Sequence, residues 1–235
     1  MSDLYILKME KQLDKELLSE LGRYISANKR ERMQRLQRVN HGSQILLGDL
    51  LLRHVLASYT NEKESELKFT MDEYGKPSLI NRSDIYFNLS HTERYILLGV
   101  DTEPIGVDIE MYAQRNYLGI ANMYFNNQEY QYLKGIQEPD ILEREFFRLW
   151  VMKESFLKAL GCGFQYPVKE LVFQKDKDCY IANNKSEPGY RIQVKQYESD
   201  AVYAVCSKTG LTIHRKDVVL ENLIHHYFES KNKGI

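Results

Sequence analysis

Ile105-Gly106-Val107-Asp108-Ile109-Glu110 is a short apolar strand with two acids, near the midpoint of a chain of 235 residues. Alternate residues of a strand share a face, so Asp108 and Glu110 project together, while Val107 and Ile109 point the other way. Before this strand, residues 4–9 read as a strand. Residues 14–26 read as a helix with Leu17, Leu18, Leu21, Tyr24 and Ile25 on one face, and 43–59 as a second helix. Short strands are predicted over 67–71, 85–90 and 95–101, between the turn signals Gly75-Lys76-Pro77 and Glu103-Pro104. Beyond it, helices are predicted over 127–134 and 139–160 and strands over 168–174, 179–182, 190–197 and 201–206. A helix over 217–228 and a frayed tail over 229–234 close the chain. Helices followed by strands, twice, predict an α+β chain of two lobes joined near 108–115, each a small antiparallel sheet packed on helices. No repeat is visible residue by residue.

The composition agrees with such a chain. At roughly 150 residues per domain, the length fits one large domain or two small lobes. An apolar fraction of 43% allows a real core. Lysine plus arginine is 32 against 33 acids, a formal net charge of -1, which argues against a nucleic-acid binder. No run of roughly 18 apolar residues predicts a membrane span, and the N-terminus does not read as a signal peptide. Cys162, Cys179 and Cys206 are odd in number and form no C-x-x-C pair, so reduced thiols in a cytoplasmic protein are expected.

Four stretches carry chemistry. Asp108 and Glu110 repel unless a cation lies between them, and an oxygen-only pair suits Mg²⁺; alone, the pair also fits a solvated acidic edge. In the 139–160 helix, Trp150, Glu154 and Lys158 fall at i, i+4 and i+8 on one face. That puts a third carboxylate and a positive charge side by side, although an exposed Glu–Lys pair and a core tryptophan fit as well. Asn88-Leu89-Ser90-His91 ends a strand, where binding groups often stand. Glu73-Tyr74-Gly75-Lys76-Pro77 is a turn that holds a lysine between glycine and proline.

The order and spacing of these stretches resemble the 4′-phosphopantetheinyl transferases, in the larger class of the surfactin-synthetase activator type. Further matching stretches are 26–35, Leu46-Leu47-Gly48-Asp49 and 125–130. The resemblance implies two fused similar lobes, 1–109 and 110–235, related by pseudo-two-fold symmetry, with the site in the cleft of a monomer. It implies transfer of the phosphopantetheine arm of coenzyme A to a serine of an apo acyl or peptidyl carrier protein of fatty-acid, polyketide or peptide synthesis. It further implies a requirement for Mg²⁺ and release of adenosine 3′,5′-bisphosphate. By this resemblance, Asp108, Glu110 and Glu154 hold the metal, Lys158 reaches the diphosphate, and Glu154 is the general base. Lys29, Arg32 and His91 hold the 3′-phosphate within the basic run of Lys29, Arg30, Arg32, Arg35 and Arg38. Lys76 and Ser90 lie along the adenine and adjacent phosphate, and Glu129 and Lys153 have supporting roles. Tyr112, Tyr117, Leu118 and Met123 stand in the carrier-docking segment, or cover the junction of the lobes.

Two departures are visible. Gln44 and Ile45 replace an arginine and a small or hydroxyl residue near the phosphate region, and Cys162 stands where a lysine is frequent. A Mg²⁺-dependent phosphohydrolase of a diphosphate nucleotide explains the carboxylates but not the Glu73–Pro77 turn. A coenzyme A binding module without transfer activity is encouraged only by Gln44 and Ile45.

Overall fold

A computed structural model describes residues 2–10, 13–35, 39–183, 188–208 and 212–232. The chain opens with β1 (Ser2–Lys8), α1 (Lys15–Leu21), the basic α2 (Ala27–Arg35) and the long α3 (Val39–Thr60). Strands β2 (Phe69–Met71), β3 (Pro77–Leu79), β4 (Tyr86–His91), β5 (Tyr95–Asp101) and β6 (Ile105–Met111) follow. Next come α4 (Tyr117–Tyr124), α5 (Asn127–Gly135) and α6 (Pro139–Leu160). The remainder is β7 (Val172–Asp176), β8 (Cys179–Asn183), β9 (Arg191–Tyr197), β10 (Ala201–Ser207), β11 (Ile213–Val218) and α7 (Leu220–Asn232).

One sheet has the order β11-β1-β5-β4 and the other β6-β10-β9-β8-β7, while β2 and β3 form a separate hairpin. The path β1–α3–β4–β5 gives strand order β1-β5-β4, and β6–α6–β9–β10 gives β6-β10-β9. Both helices in these paths have 22 residues. The chain is therefore α+β with two similar lobes that trace one topology twice, although no sequence repeat betrays it.

Three cores make a four-layer stack. Leu46, Leu47, Leu50 and Val55 of α3 pack on Leu7, Ile96, Leu98 and Val100 of the first sheet. Phe146, Met152 and Phe156 of α6 pack on Ile192, Val202 and Ala204 of the second. Between the sheets lie Leu4, Ile6, Tyr95, Leu97, Val107, Ile109, Tyr203 and Val205. Strands β5 and β10 are thus buried on both faces along their whole length, which is why they read as continuous apolar runs.

The boundary expected between 109 and 110 falls inside β6, which belongs to the second sheet. The chain also returns: β11 pairs parallel to β1, and Leu220, Leu223 and Tyr227 of α7 join the first core. The first lobe is therefore discontinuous in sequence. Strand β11 stands just before, and partly within, the helix predicted over 217–228, because its mostly exposed residues carry no apolar alternation and its pairing with β1 is long-range. The helix predicted over 14–26 stops at Leu21 and tightens into a 3₁₀ turn at Gly22–Tyr24. The strand predicted from 168 begins at Val172, after a 3₁₀ turn at Val168–Glu170 that follows Pro167. In the predicted frayed tail, α7 continues to Asn232, while 233 and 234 lie outside the described residues, as does Arg38. Among the described residues, no helix is long and apolar enough to cross a membrane.

Two glycines let β6 sit between its neighbours. A Cβ on Gly106 would lie 2.0 Å from the Ser155 carbonyl oxygen and 2.2 Å from the Ala159 nitrogen, both α6 backbone. A Cβ on Gly99 of β5 would lie 2.6 Å from Val107 Cγ1. Backbone cannot move aside as a side-chain tip can, so Gly106→Ala should destabilise the chain by about 1–3 kcal/mol or more. Chemical denaturation should show the lower midpoint, and an unchanged midpoint would contradict this packing.

Candidate active site

The site begins at the edge of β6 that no strand pairs with. That strand pairs with β10 on one side only. On its other side, the Val107 N–H donates to Asn88 Oδ1 at 2.9 Å and the Ile109 N–H donates to Ser90 Oγ at 3.4 Å. Asn88 and Ser90 are two apart on β4, as Val107 and Ile109 are on β6, so the side chains of one strand satisfy the backbone edge of another. This seam ties the first lobe to the second.

Asp108 and Glu110 share the face of Gly106, and that face meets α6. Four helical residues advance about 6 Å and two strand residues about 6.7 Å, so the two repeats match step for step. The Trp150 indole N–H faces the Glu110 carboxylate and favours its charged form. Lys158 Nζ donates to Asp108 Oδ1 at 2.6 Å and to Ser90 Oγ at 3.0 Å. Ser90 also donates to Asp108 Oδ1, at 2.8 Å. Glu154, between Trp150 and Lys158, feels both Asp108 and Glu110.

The electrostatics are lopsided. Three carboxylates face Lys158, with Arg115 3.4 Å from Glu110 at the rim. Burial, then the Asp108 charge, pushes the Glu110 carboxyl above its ordinary range. Burial, with Asp108 and Glu110 adding to it, pushes Glu154 up to about 7, against the opposing pull of Lys158. Asp108 is 3% exposed, and its Oδ2 is buried with no hydrogen-bond partner. A buried carboxylate oxygen in that state is costly unless a further positive group meets it.

A cavity of about 280 Å³ opens beside this cluster, lined by Tyr74, Lys76, Asn88, Glu154, Lys158 and Gly161. A larger one, about 670 Å³, lies along the β2–β3 hairpin and touches none of the three carboxylates. Of these two, the smaller is the chemically equipped one, because it adjoins Glu154 and Lys158.

The residues expected at the nucleotide divide into groups. Ser90 belongs to the Asp108–Lys158 network. Lys76 Nζ donates to the carbonyls of Lys158 and Ala159 at 2.6 and 2.9 Å, capping the end of α6; burial lowers its pKa. Lys29 Nζ lies 2.5 Å from Asp49 Oδ1, and Arg53 holds the other oxygen at 3.0 Å. Arg32 and His91 are exposed. Gln44 donates to the Thr92 carbonyl at 2.9 Å, so it braces the turn that follows His91. Lys153 is buried against Glu129 at 2.9 Å, and burial lowers its pKa. None of the cysteines is in a disulfide, and burial raises the Cys162 thiol.

Of the proposed docking residues, Tyr112, Tyr117 and Leu118 pack against the second core, and Tyr117 donates to Glu143 at 2.7 Å. Met123 stands out at 62% exposed. Sequence reasoning missed Arg115, the approach of Trp150 to Glu110, and the clamp of Asp49 on Lys29 and Arg53. The signal for the clamp was there: an acid and an arginine at i, i+4 on an otherwise apolar helix.

Comparison with known proteins matches this architecture. Residues 104–206 match the 4'-phosphopantetheinyl transferase superfamily model, and 13–103 match the model for the 4'-phosphopantetheinyl transferase N-terminal region. The chain is 32% identical to the 4'-phosphopantetheinyl transferase ffp of Bacillus subtilis over 206 residues, covering 87% of this chain and 91% of the relative. It is 32% identical to Sfp of Bacillus subtilis strain 168, over 81% and 90% of the two chains. It is 30% identical to gsp of Aneurinibacillus migulanus, over 80% and 78%. The two-lobed α+β chain with an acidic centre at the lobe seam thus falls in a class of group-transfer enzymes. The chain belongs to the 4′-phosphopantetheinyl transferases.

The raised Glu154 carboxyl has a consequence for stability. Its folded pKa, about 7, lies above its ordinary 4.5. The folded state therefore holds the proton more tightly, and the stability this confers is lost as pH rises from 4.5 through about 7. In chelator-treated protein the melting temperature should fall across that window, and Glu154→Gln should flatten the slope. Equal slopes in both proteins would refute the assignment.

Proposed function

We propose that the chain transfers phosphopantetheine from coenzyme A to a serine hydroxyl of an apo carrier protein, in a Mg²⁺-dependent reaction that releases adenosine 3′,5′-bisphosphate. The observation that carries this reading is the buried, unpartnered Asp108 Oδ2 beside Glu110 and Glu154. Those three carboxylates are the residues that would hold the ion, and an oxygen-only donor set suits Mg²⁺. They do not draw together as tightly as the His54, Glu64 and His226 side chains elsewhere in the molecule. That suits an ion that keeps several waters and takes phosphate oxygens from its substrate. An ion held there would supply positive charge to offset that of the coenzyme A diphosphate.

The chain's own groups do the rest. Lys158, already on Asp108 and Ser90, neutralises the departing bisphosphate or gives it a proton. Glu154 takes the proton of the carrier serine, directly or through a water. Trp150 presents its indole N–H toward Glu110. Lys29, Arg32 and His91 receive the 3′-phosphate; a lysine ammonium has three donors, so the Asp49 contact leaves Lys29 two. Lys76 holds the Glu73–Pro77 turn against the end of α6, so it shapes the nucleotide cleft from behind. The acids and Lys158 all come from β6 and α6 of one chain, which supports a monomer, and the free cysteines suit a protein of the cytoplasm. The exposed Met123 on α4 supports carrier docking there.

Mass spectrometry of apo carrier domains incubated with enzyme, coenzyme A and Mg²⁺ should show the addition of one phosphopantetheine group. No addition to fatty-acid, polyketide or peptide carriers, or bisphosphate release without a carrier, would overturn the reading. Asp108→Asn should lower kcat/KM by about 10²–10³-fold, the scale of losing one charge-stabilising group. Trp150→Phe keeps the ring and loses the N–H, so it should raise the Mg²⁺ requirement about 10-fold. A Mg²⁺ titration of the transfer rate decides it, an unchanged half-saturation point arguing against the Glu110 contact.

A further inference from the structure

In the first lobe, three side chains from distant parts of the chain converge. His54 lies on α3, Glu64 in the loop that follows it, and His226 on α7. His54 Nδ1 is 3.0 Å from Glu64 Oε1, and His226 Nε2 is 2.9 Å from the same oxygen. The two imidazole rings meet edge to face, 4.4 Å apart. We propose that His54, Glu64 and His226 bind a divalent transition-metal ion of the Zn²⁺ type, which staples α7 to α3.

The ligand atoms all lie within 4.8 Å of one another, the one such group of histidine, cysteine and acidic residues among those described. Zn²⁺ sits about 2.0–2.1 Å from nitrogen and oxygen ligands, so tetrahedral ligands stand roughly 3.3 Å apart. The observed nitrogen–oxygen separations of 3.0 and 2.9 Å need only small side-chain rotations to admit it. Two imidazoles and one carboxylate select borderline ions such as Zn²⁺ over Mg²⁺, in contrast to the all-oxygen centre at β6.

The ligands are held in advance. Arg53 donates to the Glu64 carbonyl at 2.9 Å and to the Leu67 carbonyl at 3.2 Å, fixing the loop. Next to His226, Tyr227 donates to the Leu50 carbonyl at 2.8 Å and packs on Tyr24. The cluster opens onto a cavity of about 610 Å³, which gives an ion a path in and a fourth position to water. Arg23 and Lys63 also line that cavity and oppose a dication, while Arg53 is neutralised by Asp49. The ion would link residues 162 apart in sequence, so it would stabilise the folded chain by binding it in preference to the unfolded one.

The test uses metal-stripped full-length protein in excess Mg²⁺, which keeps the β6 centre occupied. Titration with zinc chloride should show one site per chain and a rise in melting temperature. Glu64→Gln and His226→Ala, shown to be folded by circular dichroism, should each weaken Zn²⁺ binding by more than about 100-fold and lose that rise, with transfer in Mg²⁺ alone unchanged. No Zn²⁺ binding by the native chain would overturn the site. So would equal binding and equal melting shifts in the native chain and a folded variant.

Discussion

Strand β6 carries the strictest constraint in the molecule. On one face it must let the α6 backbone come so close that only a hydrogen fits at Gly106. On the other, Val107 and Ile109 fill the core between the sheets. Along its edge, Asn88 and Ser90 stand in for a neighbouring strand. A side chain at 106 would push α6 outward, and Trp150, Glu154 and Lys158 would leave the carboxylates together. The reach of Lys158 to Asp108 is therefore a property of a glycine two residues away on the strand.

That closeness brings like charges together. Burial and the Asp108 charge disfavour the ionised forms of Glu110 and Glu154, while Lys158 and Arg115 offset only part of this. A fold selected only for stability would replace such residues by apolar ones of similar volume. Large apolar cores on both sides supply the surplus that lets the cluster persist. The same imbalance is what makes the cluster receptive to a cation.

Much of this was legible in the sequence because it rests on local periodicity. The two-residue repeat placed Asp108 and Glu110 on one face, and the four-residue repeat did the same for Trp150, Glu154 and Lys158; α6 itself runs Pro139–Leu160, where the pattern put it. What escaped depends on distant partners. Strand β11 exists because β1 offers it an edge more than two hundred residues away in the chain. Lys76 donates to the carbonyls that end α6, a contact no local pattern announces. Trp150 reads as core because nothing in its neighbours announces an acid on another element. Side-chain destinations of long residues are set by tertiary geometry, and no spacing rule encodes them.

The repeated topology also accounts for why one of the two lobes carries the acids. Strand β1 occupies in the first lobe the place that β6 occupies in the second. Its face toward α3 holds Tyr5 and Leu7, both in the core, where β6 holds Gly106, Asp108 and Glu110. Its outer edge is closed by β11, whereas the outer edge of β6 is left to the side chains of β4. Two departures from the repeat thus coincide at one strand: an open edge that admits Asn88 and Ser90, and a polar face opposite a polar stripe of α6. Closing the edge of β1 required the chain to return to the first lobe at its C-terminal end, which is what carries α7 across to α3. The duplication supplies the frame, and the places where the copies differ supply the chemistry.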